Sequence, residues 1–165
     1  MKPQTVDYLP LNHIPSQGIK ITSPFSGKVL PLAQHPEAFF RFATLGPGIM
    51  VQLSSHKIVA PFSGTLLQAK NAGTEFILQA NNGLKVLINL TLPATQAITR
   101  SHIAQLNGSK IVKGQRLAYF DMRELEQPLL ASLILLNGHH LGALHFSHSQ
   151  VNAGVDTLLT LIIKK

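Results

Sequence analysis

Cysteine is absent from this sequence of 165 residues, which excludes disulfide bonds, thiolate metal ligands and a cysteine nucleophile. Tryptophan is also absent, and charged residues make up only 13% of the chain. Apolar runs are short: the richest, Leu129–Leu136, has eight residues, whereas a membrane-spanning helix needs about 20. No apolar run follows Lys2, so we predict no signal peptide. Together these absences favour a soluble, cytoplasmic protein without a membrane span.

Acidic residues are scarce, since 7 Asp and Glu stand against 14 Lys and Arg, which gives a formal net charge of +7. Such a charge favours acidic partners, nucleic acid or anionic lipid. The basic residues are dispersed, however, and Lys164-Lys165 is the only adjacent pair. Nucleic-acid-binding proteins cluster their basic residues, so we expect no nucleic-acid partner. Nothing in the composition implies a cofactor or a small-molecule substrate.

The length suits one domain, and its first part contains three prolines that disfavour a helix. We therefore predict an extended N-terminal arm over residues 1–18 and a compact domain over residues 19–165. Within that domain, only residues 36–44 and 121–132 have room for a helical turn or two.

Short apolar segments separated by Gly, Pro and Asn predict many strands in the compact domain. Residues 84–91 spell LKVLINLT, a β-rich run that follows the hairpin signal Asn82-Gly83. Frequent turn signals between short strands are typical of an all-β sandwich or barrel. We predict an antiparallel β-sandwich or barrel.

One turn-and-strand unit occurs twice. Residues 23–30 read SPFSGKVL and residues 60–67 read APFSGTLL, with five of eight positions identical. Proline starts a turn, glycine allows an unusual backbone angle, and an apolar strand follows. Residues 112–117 and 151–158 form a second, looser pair. The repeats indicate a sheet that wraps around a pseudo-symmetric core.

These motifs, in this order, resemble the glucose-type enzyme IIA domain of the bacterial sugar phosphotransferase system. The resemblance covers residues 19–165. It is carried by residues 21–29 (ITSPFSGKV), 46–51 (GPGIMV), 57–66 (KIVAPFSGTL), 82–88 (NGLKVLI), 114–117 (GQRL), 120–121 (FD) and the closing 162–165 (IIKK).

The resemblance implies a β-sandwich of the duplicated hybrid motif type, with a shallow active-site depression on one face. In that family, phosphohistidine on the carrier HPr donates its phosphoryl group to a histidine of enzyme IIA. The chemistry needs an unprotonated imidazole nitrogen as nucleophile, and a second imidazole holds the phosphoryl oxygens.

Both histidines are missing at the positions that the resemblance assigns to them. Asn89 occupies the acceptor position, Thr74 the second histidine position, and Ala72 the position of a supporting threonine. The nitrogen of an amide delocalises its lone pair and cannot replace the imidazole. Glu75, the nearest possible base for Thr74, is expected to face the opposite way along a strand. We therefore predict no catalytic residue and a domain that has lost phosphocarrier activity.

An intact scaffold with a neutralised centre favours a regulatory or protein-binding module, with a phosphotransferase-system component as the candidate protein partner. We expect a docking face around Thr74 and Asn89 with an apolar rim of Phe76, Leu90 and Leu92. The net charge of +7 would repel the basic surface that HPr presents in this system, so its role as donor is in doubt.

The eight histidines leave two alternatives open. An active phosphocarrier with a displaced acceptor would use His56 or His102. A metal-binding domain would use the cluster of His139, His140, His145 and His148, although His145 and His148 have opposite parity on a strand. His35, His56 and His102 are otherwise expected to be surface histidines.

Overall fold

The computed structural model describes residues 5–14, 16–70, 74–91, 101–123, 125, 127–138 and 141–163. Strands dominate this part of the chain, together with one short helix, α1 (Ala38–Arg41), and 3-10 turns at Leu11–His13 and Leu32–Gln34. The strands are β1 (Val6–Tyr8), β2 (Ile19–Thr22), β3 (Gly27–Pro31), β4 (Gly48–Leu53), β5 (Lys57–Val59), β6 (Gly64–Lys70), β7 (Glu75–Ala80), β8 (Lys85–Thr91), β9 (Ser101–Ile103), β10 (Lys110–Ile111), β11 (Arg116–Phe120), β12 (Leu130–Leu135), β13 (Leu141–Phe146), β14 (Gln150–Val151) and β15 (Thr157–Ile163). The predicted all-β fold is confirmed.

The strands form three sheets. The largest has the order β10-β6-β7-β8-β12-β4-β3-β14, the second β1-β13-β15-β2, and the third β5-β11-β9. Among the described pairs, only β1 with β13 is parallel. Side chains from all three sheets meet in one buried cluster, which includes Phe76 of β7, Leu117 of β11 and Leu161 of β15. Burial of this apolar surface is the main force that holds the sheets together.

The two copies of the Pro-Phe-Ser-Gly unit occupy equivalent places in the fold. Gly27 begins β3 and Gly64 begins β6, and a Cβ atom at either glycine would collide with a carbonyl oxygen of the neighbouring strand. The looser repeat follows the same symmetry, because Gly154 N donates to Ser23 O and Gly114 N donates to Ala60 O, each at 2.8 Å. The sequence repeat is thus a structural repeat, which matches the prediction of a pseudo-symmetric core.

The outer face of the eight-stranded sheet is covered by the segment between β3 and β4. Leu32 and Phe40 of this segment form a second buried cluster with Leu87 of β8 and Ile134 of β12. Helix α1 lies within residues 36–44, so the helical turn predicted there is confirmed. The prediction for residues 121–132 is wrong for their described part, in which no helix occurs and β12 begins at Leu130.

The N-terminal arm is joined to the second sheet. Strand β1 pairs with β13, the ring of Tyr8 contacts that of Phe146 edge-on at 5.5 Å, and Leu9 N donates to Phe146 O at 2.9 Å. The arm therefore adds an edge strand to the sandwich. No helix in the described ranges is long and apolar enough to cross a bilayer.

Candidate functional site

Thr74 lies beside β8, one position along from Asn89. Thr74 immediately precedes β7, and its carbonyl oxygen accepts a hydrogen bond of 2.7 Å from Leu90 N of β8. One residue further on, Glu75 pairs in register with Asn89. On the other side of β8, Asn89 is in register with Ser132 of β12, whose buried hydroxyl has no hydrogen-bond partner among the described residues. A polar row thus crosses three strands of the largest sheet.

A chain of hydrogen bonds starts at this row and runs to the covering segment. Asn89 Nδ2 donates to Glu75 Oε1 at 3.2 Å, and Thr91 Oγ1 donates to Asn89 Oδ1 at 3.1 Å. His35 Nε2 lies 3.0 Å from Thr91 Oγ1. Lys70 flanks the other end, with its Nζ 3.7 Å from Glu75 Oε2. The side chain of Asn89 is therefore held between Glu75, which accepts from its amide nitrogen, and Thr91, which donates to its amide oxygen.

The direction of these bonds is set by a backbone amide. Glu37 N donates to His35 Nδ1 at 3.0 Å, so Nδ1 carries no proton and the proton of the neutral ring lies on Nε2. His35 Nε2 consequently donates to Thr91 Oγ1, whose own proton goes to Asn89. Because both ring nitrogens are engaged in this way, His35 cannot take a proton from Thr91. The arrangement holds side chains in place and lacks the base of a hydroxyl nucleophile.

His35 was expected to be a surface histidine, and this prediction is wrong. Its side chain is only 1% exposed and its ring contacts that of Phe40 at a centroid distance of 4.8 Å. Burial lowers the pKa of His35 below its ordinary value of 6.5, against the opposing influence of the Glu37 carboxylate. The local sequence gave no signal for this burial, which depends on the covering of the distant strand β8 by residues 32–42.

The lowered pKa of His35 leads to a prediction about stability and pH. The unfolded chain binds a proton at this histidine near pH 6.5, whereas the folded protein binds it only at lower pH. The free energy of unfolding should therefore be fully retained above pH 6.5 and fall as the pH drops below it. His35→Gln should remove this part of the pH dependence. Urea unfolding of the parent and the variant at pH 7.5 and pH 5 measures the difference. If the free energy of unfolding changes by the same amount between the two pH values in both proteins, the role of His35 is contradicted.

The predicted apolar docking rim is wrong for two of its three residues. Phe76 and Leu90 follow Glu75 and Asn89 by one position on their strands, so their side chains point to the opposite face of the sheet. Both are buried in the main core, with 0% and 4% exposure. Leu92 lies outside the described residues, as does Ala72. The sequence did contain the relevant signal, because Lys85, Asn89 and Thr91 alternate with apolar residues along β8.

A different apolar surface lies on the covering segment. Phe39, Phe42 and Leu45 are 49%, 68% and 40% exposed, and we call them the Phe42 patch. The guanidinium of Arg41 lies 5.3 Å from the centre of the Phe42 ring. The patch is therefore carried by the same segment that places His35 in the hydrogen-bond chain. The sequence predicts a helical turn in this segment but does not indicate which of its side chains are exposed.

The remaining histidines do not form a shared site in the described part of the chain. His56 stacks on Tyr119 at 5.6 Å, and its Nδ1 lies within hydrogen-bond distance of Phe120 O and Met122 N. Strand β9 contains His102, whose backbone pairs with Tyr119, and its side chain is outside the described set.

The proposed metal cluster gains no support from the described residues. They include no group of three His, Cys, Asp or Glu side chains that could hold a metal ion. His145 and His148 belong to this part, and His139 and His140 lie outside it.

A β-sandwich with this repeated turn-and-strand unit is the fold of the glucose-permease IIA class. The solved structure of glucose permease IIA from Mycoplasma capricolum matches with a TM-score of 0.72, over 88% of this chain and 96% of that one, at 18% sequence identity. Residues 19–137 match the family described as phosphoenolpyruvate-dependent sugar phosphotransferase system, EIIA 1. The chain belongs to this EIIA family.

Two of the similar proteins differ greatly in length. The mannose-specific EIIBCA component of the phosphotransferase system of Corynebacterium glutamicum is 28% identical over 128 residues, which is 75% of this chain and only 19% of that protein. The glucose-specific EIIA component of Oceanobacillus iheyensis is 24% identical over 149 residues, 87% of this chain and 90% of that protein. The similarity thus corresponds to a single EIIA-sized unit.

Proposed function

We propose that this EIIA domain does not carry phosphoryl groups and acts as a regulatory, protein-binding module of a sugar phosphotransferase system in the cytoplasm. The observation that carries the proposal is the state of Asn89. Its amide nitrogen donates to Glu75 and its amide oxygen accepts from Thr91. The family resemblance assigns the phosphoryl acceptor to this position. In this protein the position holds an amide whose nitrogen and oxygen are both engaged in hydrogen bonds and which is not a nucleophile.

The surroundings of Asn89 also oppose phosphoryl binding. Phosphoryl oxygens require cations or hydrogen-bond donors. The nearest charged group to Asn89 in the network is instead the Glu75 carboxylate, at 3.2 Å. His35, whose ring is bonded to Thr91, has both nitrogens engaged and belongs to the covering segment itself. The hydrogen-bonded centre around Asn89 therefore stabilises the structure and is not suited to bind a phosphoryl group.

The Phe42 patch is the surface best suited to a partner protein. It combines three exposed apolar side chains with the positive charge of Arg41. A partner that offers an apolar anchor next to a carboxylate would complement both features. Since His35 ties the segment to β8, the hydrogen-bond chain keeps this surface in one conformation. The hydrogen-bonded centre around Asn89 thereby supports partner binding, because it holds the covering segment that carries the Phe42 patch.

A second candidate function is phosphoryl transfer through a displaced histidine, and His56 is the residue that a specific observation favours. An open cleft of about 360 Å³ is lined by His56 and Arg123. Arg123, however, forms a two-pronged ion pair with Asp121 at 2.9 and 2.7 Å. This pair holds the pKa of Asp121 well below its usual range and satisfies much of the guanidinium that a phosphoryl group would need.

The decisive experiment is a phosphoryl-transfer assay. The purified protein is incubated with phosphoenolpyruvate, enzyme I and HPr, and its intact mass is measured at neutral pH beside the Oceanobacillus iheyensis EIIA component as positive control. We expect no added phosphoryl group on this protein. A stoichiometric phosphoryl group would overturn the proposal, and its loss in a His56→Gln variant would establish the second candidate.

A further inference from the structure

A second cavity is lined by residues of the N-terminal arm and the covering segment, and neither Glu75 nor Asn89 is part of its lining. Its volume is about 190 Å³, room for roughly six water-sized groups. One wall is Val6 of β1 and Phe146 of β13, and the opposite wall includes Leu32 and Ile49. The lining is thus mainly apolar. Apolar cavities of this kind, with few polar groups, are the usual form of small-molecule sites.

Arg41 is the only charged side chain among the described residues that line this cavity. Its Nη1 donates to the carbonyl oxygens of His35 at 3.1 Å and Pro36 at 3.3 Å, which fixes the plane of the guanidinium. In the described part of the chain, Arg41 makes no ion pair with a carboxylate and no further hydrogen bond. A fixed guanidinium with donors to spare is suited to a carboxylate.

We propose that this cavity binds a small aliphatic carboxylate. The carboxylate pairs with the guanidinium of Arg41, and the aliphatic tail packs against Leu32, Ile49 and Phe146. The net charge of +7 adds a general attraction for an anion. The site is separate from the position that the family resemblance assigns to phosphoryl transfer, so the proposal holds whether or not the domain carries phosphoryl groups.

The bound tail also contacts the N-terminal arm, because Thr5 and Val6 form part of the cavity wall. The arm is otherwise held by the three residues of β1, the Tyr8–Phe146 ring contact and the bond from Leu9 N to Phe146 O. Ligand binding should therefore slow the exchange of the Leu9 amide proton. This readout reports the place of binding independently of affinity.

The test uses the whole chain and a series of carboxylates, from butanoate to hexanoate, with 1-hexanol as the uncharged control. Nuclear magnetic resonance titration should show saturable shifts at the lining residues, with an affinity that rises about fourfold for each methylene until the cavity is full. Hexanol should bind at least about tenfold more weakly than hexanoate, because it lacks the charge-assisted hydrogen bonds to Arg41.

Two variants decide the outcome. Arg41→Met should weaken hexanoate binding at least about tenfold and leave hexanol binding nearly unchanged. Ala33→Trp, at an exposed residue of the lining, should block both ligands, whereas Ala38→Trp, at an exposed alanine outside the lining, should block neither. The proposal is overturned if hexanoate produces no saturable shifts, or if hexanoate binds the Arg41→Met variant or the Ala33→Trp variant as strongly as it binds the parent.

Discussion

Phe76→Ala should lower the free energy of unfolding by about 3–5 kcal/mol, the largest single effect that we expect in this domain. The ring of Phe76 is fully buried in the main cluster. Its removal loses the transfer free energy of the ring and leaves a cavity that the antiparallel neighbours β6 and β8 cannot close. Urea unfolding followed by circular dichroism measures the change. A domain of this size has only about 5–15 kcal/mol in total, so the variant should remain folded but marginal.

Phe42→Ala is the matched control, because the same side chain is removed from a surface where it is 68% exposed. Its cost should stay below about 1 kcal/mol, the value of an exposed cation–π contact such as that with Arg41. The Phe42→Ala and Phe76→Ala variants should also differ in how they affect partner binding. Phe42→Ala should weaken partner binding at nearly full stability, and Phe76→Ala should act through stability alone. Equal stability losses would show that Phe76 does not belong to the core.

The strand positions could be predicted from the sequence because turn chemistry is local. Asn82-Gly83 marks the hairpin between β7 and β8, and the two Pro-Phe-Ser-Gly turns mark the starts of β3 and β6. In both repeats the glycine is required by the close approach of a neighbouring strand. Such requirements lie within a few residues and therefore appear as motifs.

The composition of the site could be predicted only in part. The antiparallel neighbours β7 and β8 place Thr74 beside Leu90, so that Thr74 and Asn89 lie one position apart, whereas the direct partner of Asn89 is Glu75. Glu75 is considered in the sequence only as a base for Thr74, from which it is expected to face away, and its hydrogen bond to Asn89 on the neighbouring strand is not predicted. His35 was missed for a different reason: it meets Thr91 across a sequence separation of 56 residues, and no local pattern encodes that contact.

The docking face shows how an alternating pattern can mislead. Leu87 and Leu90 are both apolar, although they point to opposite faces of β8. A strand whose outer face is also covered loses the clean alternation of apolar and polar residues. The polar residues Lys85, Asn89 and Thr91 still mark the outer face of the strand, and Leu90 has the opposite parity that assigns it to the core. On the covering segment itself, the apolar side chains of Phe39, Phe42 and Leu45 are exposed.

Asn89→Asp should be the most disruptive single-atom change in the domain, with a cost of about 2–4 kcal/mol at pH 7. The substitution replaces the donor Nδ2 by an oxygen at the place where Glu75 Oε1 lies 3.2 Å away. Two carboxylates at this distance repel each other and both lose a hydrogen bond. Because Asn89 is only 8% exposed, water does little to screen the repulsion.

The pH dependence of the Asn89→Asp variant carries a definite sign. The neighbouring carboxylate raises the pKa of the introduced carboxyl in the folded state above its ordinary value of about 4. The stability lost at neutral pH should therefore be regained, relative to the parent at the same pH, as the pH falls through the raised pKa. Urea unfolding of both proteins between pH 7 and pH 4 measures this recovery.

Glu75→Gln combined with Asn89→Asp provides the matching control, because it exchanges the amide and the carboxylate between the two strands. The glutamine amide can then donate to the introduced carboxylate, so the double variant should recover most of the loss. Glu75→Gln alone should cost less than about 1 kcal/mol, since its amide oxygen still accepts from Asn89 Nδ2. The coupling energy of this cycle should reach about 2 kcal/mol or more. Additive effects would mean that Glu75 and Asn89 do not interact, and the inert hydrogen-bonded centre on which the proposed function rests would have to be abandoned.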